Sequence, residues 1–255
     1  MNVKPKKQFG QHFLTNPEVT QNIIQQIQSF DFPVLEIGPG KGILTQSLSS
    51  KDKFKCVEID RESHEYLLEN KIVTVDQLLK GDFLRFEVSQ IFDGEEFMLA
   101  GNFPYNISTQ IVFKLIESRD KIPVMIGMFQ KEVADRICSL HGSKQYGILS
   151  VLGQAYFSAK TLFYVEPDSF YPPPKVRSSV IILERIKTEI EVPYSDLHRV
   201  VKMAFNHRRK TIKNSLGLLI SAIPNFDHPF LKLRPEQLSV QDFIDLTKAL
   251  YNTPN

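Results

Sequence analysis

The sequence predicts a doubly wound α/β domain followed by a small all-helical domain, and three observations carry that expectation. Between residues 33 and 129 short apolar runs recur, "PVLEIG", "FKCVEI", the run into "LLKGD", "FMLAGN" and "PVMIGMF", and they are continuous rather than alternating. Such runs belong to parallel strands covered on both faces. Helical patterns separate most of them, around 42–50, 60–70, 108–118 and 130–140, as a βαβ succession requires. After Pro193 only helical patterns remain: "SDLHRVVKMAF", "RRKTIKNSLGLLI" and "LSVQDFIDLTKALY". The expected division is therefore residues 1–190 and 191–255.

Local signals place the individual elements. "TNPEVTQNIIQQI" is a helix capped by Asn16, with Pro17 at its first position and an apolar stripe of Val19, Ile23, Ile24 and Ile27. "YGILSVLGQAYFSAKTLFYV" (146–165) reads as a helix running into a strand, and "SSVIILERI" (178–186) as a further strand. The loop "EPDSFYPPPKV" between them continues neither, because consecutive prolines remove backbone donors. In the last helix Ser239 and Asp242 have the spacing of a capping box.

Composition bounds the function classes. With 42% hydrophobic and 24% charged residues the chain has ordinary globular usage and enough length for one large core and a smaller appendage. Cys56 and Cys138 sit in apolar patterns with no disulfide framework and no metal-ligand spacing, and both are read as buried thiols. The six histidines do not cluster either, so no metal is expected. No run reaches membrane-spanning length and the N-terminus lacks a signal-peptide core, which points to a cytoplasmic protein, taken as a monomer. The formal net charge of +2 hides an asymmetry: residues 194–255 carry 9 Lys and Arg against 5 Asp and Glu. Lys4, Lys6 and Lys7 add positive charge at the other end, a distribution that suits a polyanion or simply solvated surfaces.

The chemistry-bearing residues gather where apolar runs end. "LEIGPGKG" puts Gly38, Gly40 and Gly42 between the first sheet strand and its helix, where glycine lets backbone approach a ligand. Glu36 precedes the loop. Glu58 closes the second strand, where a doubly wound fold places an acid for ribose hydroxyls, and Asp82 ends the third run, positioned to accept from an adenine amino group. Each acid alone reads equally as a surface strand end or a helix cap. The fourth run ends in "GNFPYNIST" (101–109), which is either a good turn or a device for holding something with Asn102, Pro104 and Tyr105.

Taken together, "LEIGPGKG", the acid after the second strand, "GD" after the third and "NFPY" after the fourth resemble the ordered motifs of class I S-adenosylmethionine-dependent methyltransferases, whose sheet is Rossmann-like. More narrowly, "KKQFGQHFLTNP", "LEIGPGKGILT", "GNFPYNIST", "QKEVADRI", "YGILSVLGQ" and "FYPPPKVRSSVI" resemble the small-subunit (16S) ribosomal RNA adenine dimethyltransferases of the KsgA type. "FNHRRKTIKNSL" resembles that family's C-terminal domain, so the likeness covers nearly the whole chain.

The resemblance implies S-adenosyl-L-methionine as cofactor, bordered by His12, Leu14, Gly38, Gly40, Glu58, Asp82 and Asn102. It implies catalysis by Asn102 and Pro104, whose oxygens accept from an adenine amine, with Tyr105 under the target base and Phe170 on its other side. Phe103 stands where related sequences often have leucine, and His12 where some have asparagine. Arg208, Arg209, Lys210 and Lys213, read as one helix surface, are expected to meet RNA phosphates. The partner implied is small-subunit ribosomal RNA or the pre-ribosomal small subunit, with a role in its biogenesis. Two other functions fit the same motifs: methylation of large-subunit RNA or DNA adenine, and a non-catalytic assembly factor with the same fold.

Overall fold

The computed structural model describes residues 3–187 and 189–251. In chain order its main elements are β1 (Phe13–Leu14), α1 (Pro17–Gln28), β2 (Val34–Ile37), α2 (Thr45–Leu48), β3 (Phe54–Glu58), α3 (Arg61–Glu69), β4 (Leu78–Lys80), β5 (Met98–Asn102), α4 (Ser108–Glu117), β6 (Val124–Gln130), α5 (Lys131–Cys138), α6 (Ile148–Tyr156), β7 (Phe157–Val165), β8 (Phe170–Tyr171), β9 (Ser178–Arg185), α7 (Tyr194–Asn206), α8 (Ile212–Ser215), α9 (Gly217–Ile220) and α10 (Val240–Tyr251). They divide into two compact units, Met1–Ala134 with Ala159–Arg185, and Asp135–Ser158 with Ile186–Asn255.

The first unit is α/β. Seven strands lie in the order β4-β3-β2-β5-β6-β9-β7, and β4, β3, β2, β5 and β6 run parallel, while β9 is antiparallel to β6. β2 and β5 are wholly apolar apart from Glu36 and the tip residue Asn102, and β2 is buried along its whole length, as an interior parallel strand demands. The winding runs outward from β2 to β3 and β4, then restarts at β5 on β2's other side. The reversal falls between β2 and β5, and at their carboxyl ends a doubly wound fold opens its ligand crevice. Helix α1 contributes Ile23, Ile24 and Ile27 to the core, and its expected cap is present: Asn16 Oδ1 accepts from the N–H groups of Glu18 and Val19 at 3.0 and 3.3 Å.

The second unit is helical and draws on two stretches of chain. Helices α6, α7 and α10 pack on one another, with Tyr146, Phe205 and Phe243 in ring contact at 6.0 and 5.7 Å. The sequence-based boundary near residue 190 takes only the later stretch, because the apolar face of α6 does not announce which partner will cover it. The capping box of α10 is made: Ser239 N–H donates to Asp242 Oδ2 at 2.8 Å and Asp242 N–H to Ser239 Oγ at 3.1 Å.

Two expectations need correction. Cys56 is buried as expected, but Cys138 is partly exposed at the end of α5. "RRKTIKNSLGLLI" is not one helix: α7 ends at Asn206, residues 207–210 form a turn closed by Lys210 N–H on the His207 carbonyl at 2.7 Å, and Thr211 starts α8 from extended backbone. Threonine favours that N-cap position over a helix interior, and it interrupts the run. Among the described residues no helix is long and apolar enough to cross a membrane.

Candidate active site

At the carboxyl ends of β2, β3 and β5 lies an open cleft of about 1080 Å³, a figure that takes in the solvent at its mouth. Its wall includes His12, Leu14, Gly38, Gly40, Glu58, Asp82, Asn102, Pro104 and Tyr105, so nine of the residues singled out in the sequence meet in one place although they come from five segments of the chain. Phe170 is not in that wall. Its side chain is buried in the core beside Leu14, which it faces across the two-stranded pairing of β1 with β8.

The glycine loop leaves β2 with the Gly38 N–H donating to the Val57 carbonyl at 3.0 Å. Gly40 has φ +57°, and a Cβ there would stand 2.9 Å from the Phe13 ring. Only glycine fits between the loop and the strap that carries Phe13. From β3, Glu58 is 3% exposed and holds the loop from beside it: its Oε2 accepts from Gly40 N–H at 3.1 Å and its Oε1 from Asp60 N–H at 2.8 Å. Each oxygen keeps a lone pair for a ligand hydroxyl. Burial pushes the Glu58 carboxyl up to about 6 against the pull of those backbone N–H groups. Asp82 caps the short turn after β4 by accepting from Leu84 N–H at 3.0 Å, and stays 30% exposed in the cleft wall. Ile59, next to Glu58, is 48% exposed, an apolar shelf in a wall of acids and backbone.

Glu36, on β2 itself, is 2% exposed and accepts from Thr45 Oγ1–H at 2.8 Å. Burial, with a smaller contribution from Glu58, raises it to about 8, so it is mainly neutral at pH 7.

At the tip of β5 the Asn102 side chain has a fixed sense. Its Nδ2 donates to the His12 carbonyl at 2.8 Å, which leaves Oδ1 as an acceptor. Pro104's carbonyl takes one N–H, that of Ile107 at 3.2 Å, and retains its second lone pair. Tyr105 is tied by its hydroxyl to Ser178 Oγ at 2.6 Å, and burial raises its phenol. The His12 ring lies against it, centroids 5.3 Å apart at 28°, and His12 Nδ1, donating to the Pro172 carbonyl at 2.7 Å, must carry a proton. Between Asn102 and Pro104, Phe103 turns inward: it is 1% exposed and sits over Gly127 of β6, where a Cβ would come within 2.1 Å of its ring. That anchor leaves its two neighbours on the cleft side.

In the second unit Arg209, Lys210 and Lys213 are exposed, whereas Arg208 is partly buried, donating to the Ser143 carbonyl at 3.1 Å with Nε 3.9 Å from Glu236. Lys6, counted in the sequence as terminal positive charge, is bound to Asp60 at 2.5 Å and to Glu62 at 3.1 Å. The wall also contains Gln11, Phe13 and Ile107, which sequence reasoning did not single out. All three lie inside the quoted stretches "KKQFGQHFLTNP" and "GNFPYNIST", which was the sign available. Among the described residues no group of three or more His, Cys, Asp or Glu side chains is arranged to hold a metal ion.

The sequence matches the model of the family described as "Ribosomal RNA adenine dimethylase" over residues 2–228. It is 48% identical to "Ribosomal RNA small subunit methyltransferase A" of Bacteroides thetaiotaomicron, covering 97% of this chain and 94% of that one. It is 46% identical to the protein of the same description from Flavobacterium johnsoniae, covering 97% and 96%. Among solved structures, a dimethyladenosine transferase from Plasmodium falciparum superimposes with a TM-score of 0.78 at 25% identity over 92% of this chain and 96% of that one. The 23S rRNA methyltransferase ErmE shares the fold, with a TM-score of 0.65 at 24% identity over 91% of this chain and 98% of that one.

Proposed function

The chain belongs to the ribosomal RNA adenine dimethylase family, and from that premise we propose that it transfers two methyl groups to the exocyclic amine of each of two adjacent adenosines in a loop of small-subunit ribosomal RNA. The donor is S-adenosyl-L-methionine and the setting is small-subunit biogenesis in the cytoplasm. One observation carries the proposal: the His12 carbonyl holds the Asn102 amide so that a hydrogen-bond acceptor, not a donor, is presented at the end of β5 beside an acid-lined glycine cleft.

The cleft suits the donor. Glu58 offers its remaining lone pairs to ribose hydroxyls, and a carboxylate there disfavours a phosphorylated ribose. Asp82 accepts from the adenine amino group of the donor, Ile59 lies flat against its ring, and Leu14, Gly38 and Gly40 complete the wall. When bound, S-adenosylmethionine supplies an electrophilic methyl on a sulfonium, so no strong base or metal is needed to activate the group transferred.

What the protein must improve is the acceptor. The amine of adenine is a weak nucleophile because its lone pair is delocalised into the ring. In the first transfer Asn102 Oδ1 and the free lone pair of the Pro104 carbonyl accept its two N–H groups, and in the second one of them accepts the single N–H that remains, which draws the nitrogen towards tetrahedral geometry and directs its lone pair at the methyl. Each transfer forms one N–C bond as the donor's S–C bond breaks to leave a neutral thioether, and the amine then gives up one proton to solvent. Holding donor and acceptor in line supplies most of the remaining rate. Tyr105, its hydroxyl fixed by Ser178, gives the target base a stacking surface worth about 1–3 kcal/mol. Phe170 reaches the opposite face of the base only by leaving its buried seat in β8 beside Leu14. Because the amine is hidden in a duplex, the adenosines must be in a loop or flipped out. Arg208, Arg209, Lys210 and Lys213 belong to an RNA-binding second domain in which the three exposed cations meet phosphates and Arg208 buttresses the turn.

The test is transfer of labelled methyl groups from S-adenosylmethionine to small ribosomal subunits from a strain lacking the modification, with large subunits as a parallel arm. Label recovered as dimethyladenosine from the small subunit is expected. Label in the large subunit alone would move the substrate, and no label in either would leave a non-catalytic assembly factor.

A further inference from the structure

The strap that precedes α1, residues 6–16, is tied to the unit at several points, among them the β1–β8 pairing, the Asn102–His12 hydrogen bond and one buried carboxylate. Asp60, at the start of α3, has a side chain 1% exposed. Its Oδ1 accepts from Lys6 Nζ at 2.5 Å and Glu62 N–H at 3.3 Å, and its Oδ2 accepts from Gln11 Nε2 at 3.3 Å and Ser63 Oγ at 3.2 Å. Lys6 and Gln11 are also joined to each other, for Lys6 N–H donates to Gln11 Oε1 at 2.8 Å. A further tie runs from Asn106 Nδ2 to the Gln8 carbonyl at 3.2 Å.

Two further hydrogen bonds give this fastening a consequence for the cleft. Asp60's own N–H is one of the two donors on Glu58. The residue after Gln11 is His12, whose carbonyl sets the sense of the Asn102 amide. A continuous path therefore runs from Glu58 through Asp60, Lys6 and Gln11 to His12 and Asn102, and residues 9–14 of the same strap form one wall of the cleft.

We propose that Asp60 is a positioning residue that, through Lys6 and Gln11, latches the strap over the cleft, setting cofactor affinity and the orientation of Asn102 together. This rests on the cleft binding S-adenosylmethionine. An exposed ion pair would contribute little. Here one partner is buried and receives four donors, so removing the facing cation leaves a carboxylate out of water and short of its charge partner.

The experiment compares the parent with Lys6→Met, Lys6→Arg, Asp60→Asn and the double variant Lys6→Met/Asp60→Asn. The readouts are S-adenosylmethionine binding by calorimetry, hydrogen exchange across residues 6–12 without ligand, and the separate kcat and KM of methyl transfer. Lys6→Met and Asp60→Asn are each expected to weaken binding about tenfold and to speed exchange in the strap, with KM raised and kcat lowered. The double variant should be no weaker than the worse single one, since both act on one latch, and Lys6→Arg should keep most of the parent's affinity. Parent-like binding and exchange in Lys6→Met, or additive losses in the double variant, would overturn the proposal. If Asp60→Asn fails to fold, Lys6→Met and Lys6→Arg decide it, Lys6 being 28% exposed. A parent that binds no S-adenosylmethionine refutes the cofactor assignment instead, while exchange in the ligand-free strap still tests the latch.

Discussion

In the first unit the Glu58 carboxylate is 3% exposed with a backbone N–H on each oxygen, and the Asn102 amide is held by a backbone carbonyl. In the second unit Arg209, Lys210 and Lys213 stand exposed on and beside a four-residue helix. The first arrangement fixes atoms and the second supplies charge. A group held by directional bonds in a dry site should not tolerate even an isosteric replacement, whereas exposed cations acting on phosphates should be interchangeable and roughly additive.

The harshest test of that contrast is Asn102→Ala. Loss of the oriented acceptor should lower kcat by about 10²–10³, by analogy with removal of one oriented hydrogen-bonding group from other active sites, while cofactor binding stays within about threefold. Single-turnover transfer and calorimetry read the two quantities separately, and unchanged turnover would refute the assigned role. Next is Glu58→Gln. A carboxamide must turn its NH₂ towards the N–H of either Gly40 or Asp60, a clash of donors costing about 1–3 kcal/mol in a buried site, so affinity for S-adenosylmethionine should drop about tenfold or more. In the parent, affinity should fall as pH is lowered through about 6, where Glu58 takes a proton and loses an acceptor, and the variant should lack that limb.

Smaller effects belong to the second unit. Arg209→Ala, Lys210→Ala and Lys213→Ala should each weaken RNA binding evenly across sequences and reduce the slope of log affinity against log salt by about 0.7–0.9 for each phosphate no longer neutralised. Lys213→Arg should leave it unchanged. Arg208→Ala breaks the symmetry of the set: because Arg208 holds the Ser143 carbonyl, its loss should register in thermal stability more than in the salt slope. Glu36→Gln tests the buried interior of the first unit instead, by stability and not by turnover. Folded Glu36 titrates near 8 against an ordinary 4.5, so the folded protein holds an extra proton between those values and its stability falls as pH rises through them. The variant lacks that fall, and its advantage in melting temperature should vanish near pH 5 and grow towards pH 8.

Much of this was legible in the sequence because the signals are local or repeat along a strand. Asn16 with Pro17, and Ser239 with Asp242, declare helix starts within four residues, and both caps form as expected. The cleft residues follow from one rule, that chemistry gathers at the carboxyl ends of parallel strands, so Gly38, Glu58, Asp82 and Asn102 were found without knowing the register. What escaped depends on pairing across the chain. Lys6 looked like loose terminal charge because Asp60 lies 54 positions away, and Phe170 looked available because its burial is decided by β8 meeting β1 from the far end of the first unit. The cationic run looked helical because residues 208–213 have acceptable helix propensities, and only the capping preference of Thr211 argued against it.

The seat of Phe103 over Gly127 has an evolutionary corollary. A ring that occupies the space of a missing side chain ties the fates of two positions, one just past the end of β5 and one on β6: any residue larger than glycine at 127 evicts the phenyl group, and with it the backbone that aims Asn102 and Pro104. Descendants of this gene can therefore enlarge one site only by trimming the other, and the two codons are expected to drift as a pair.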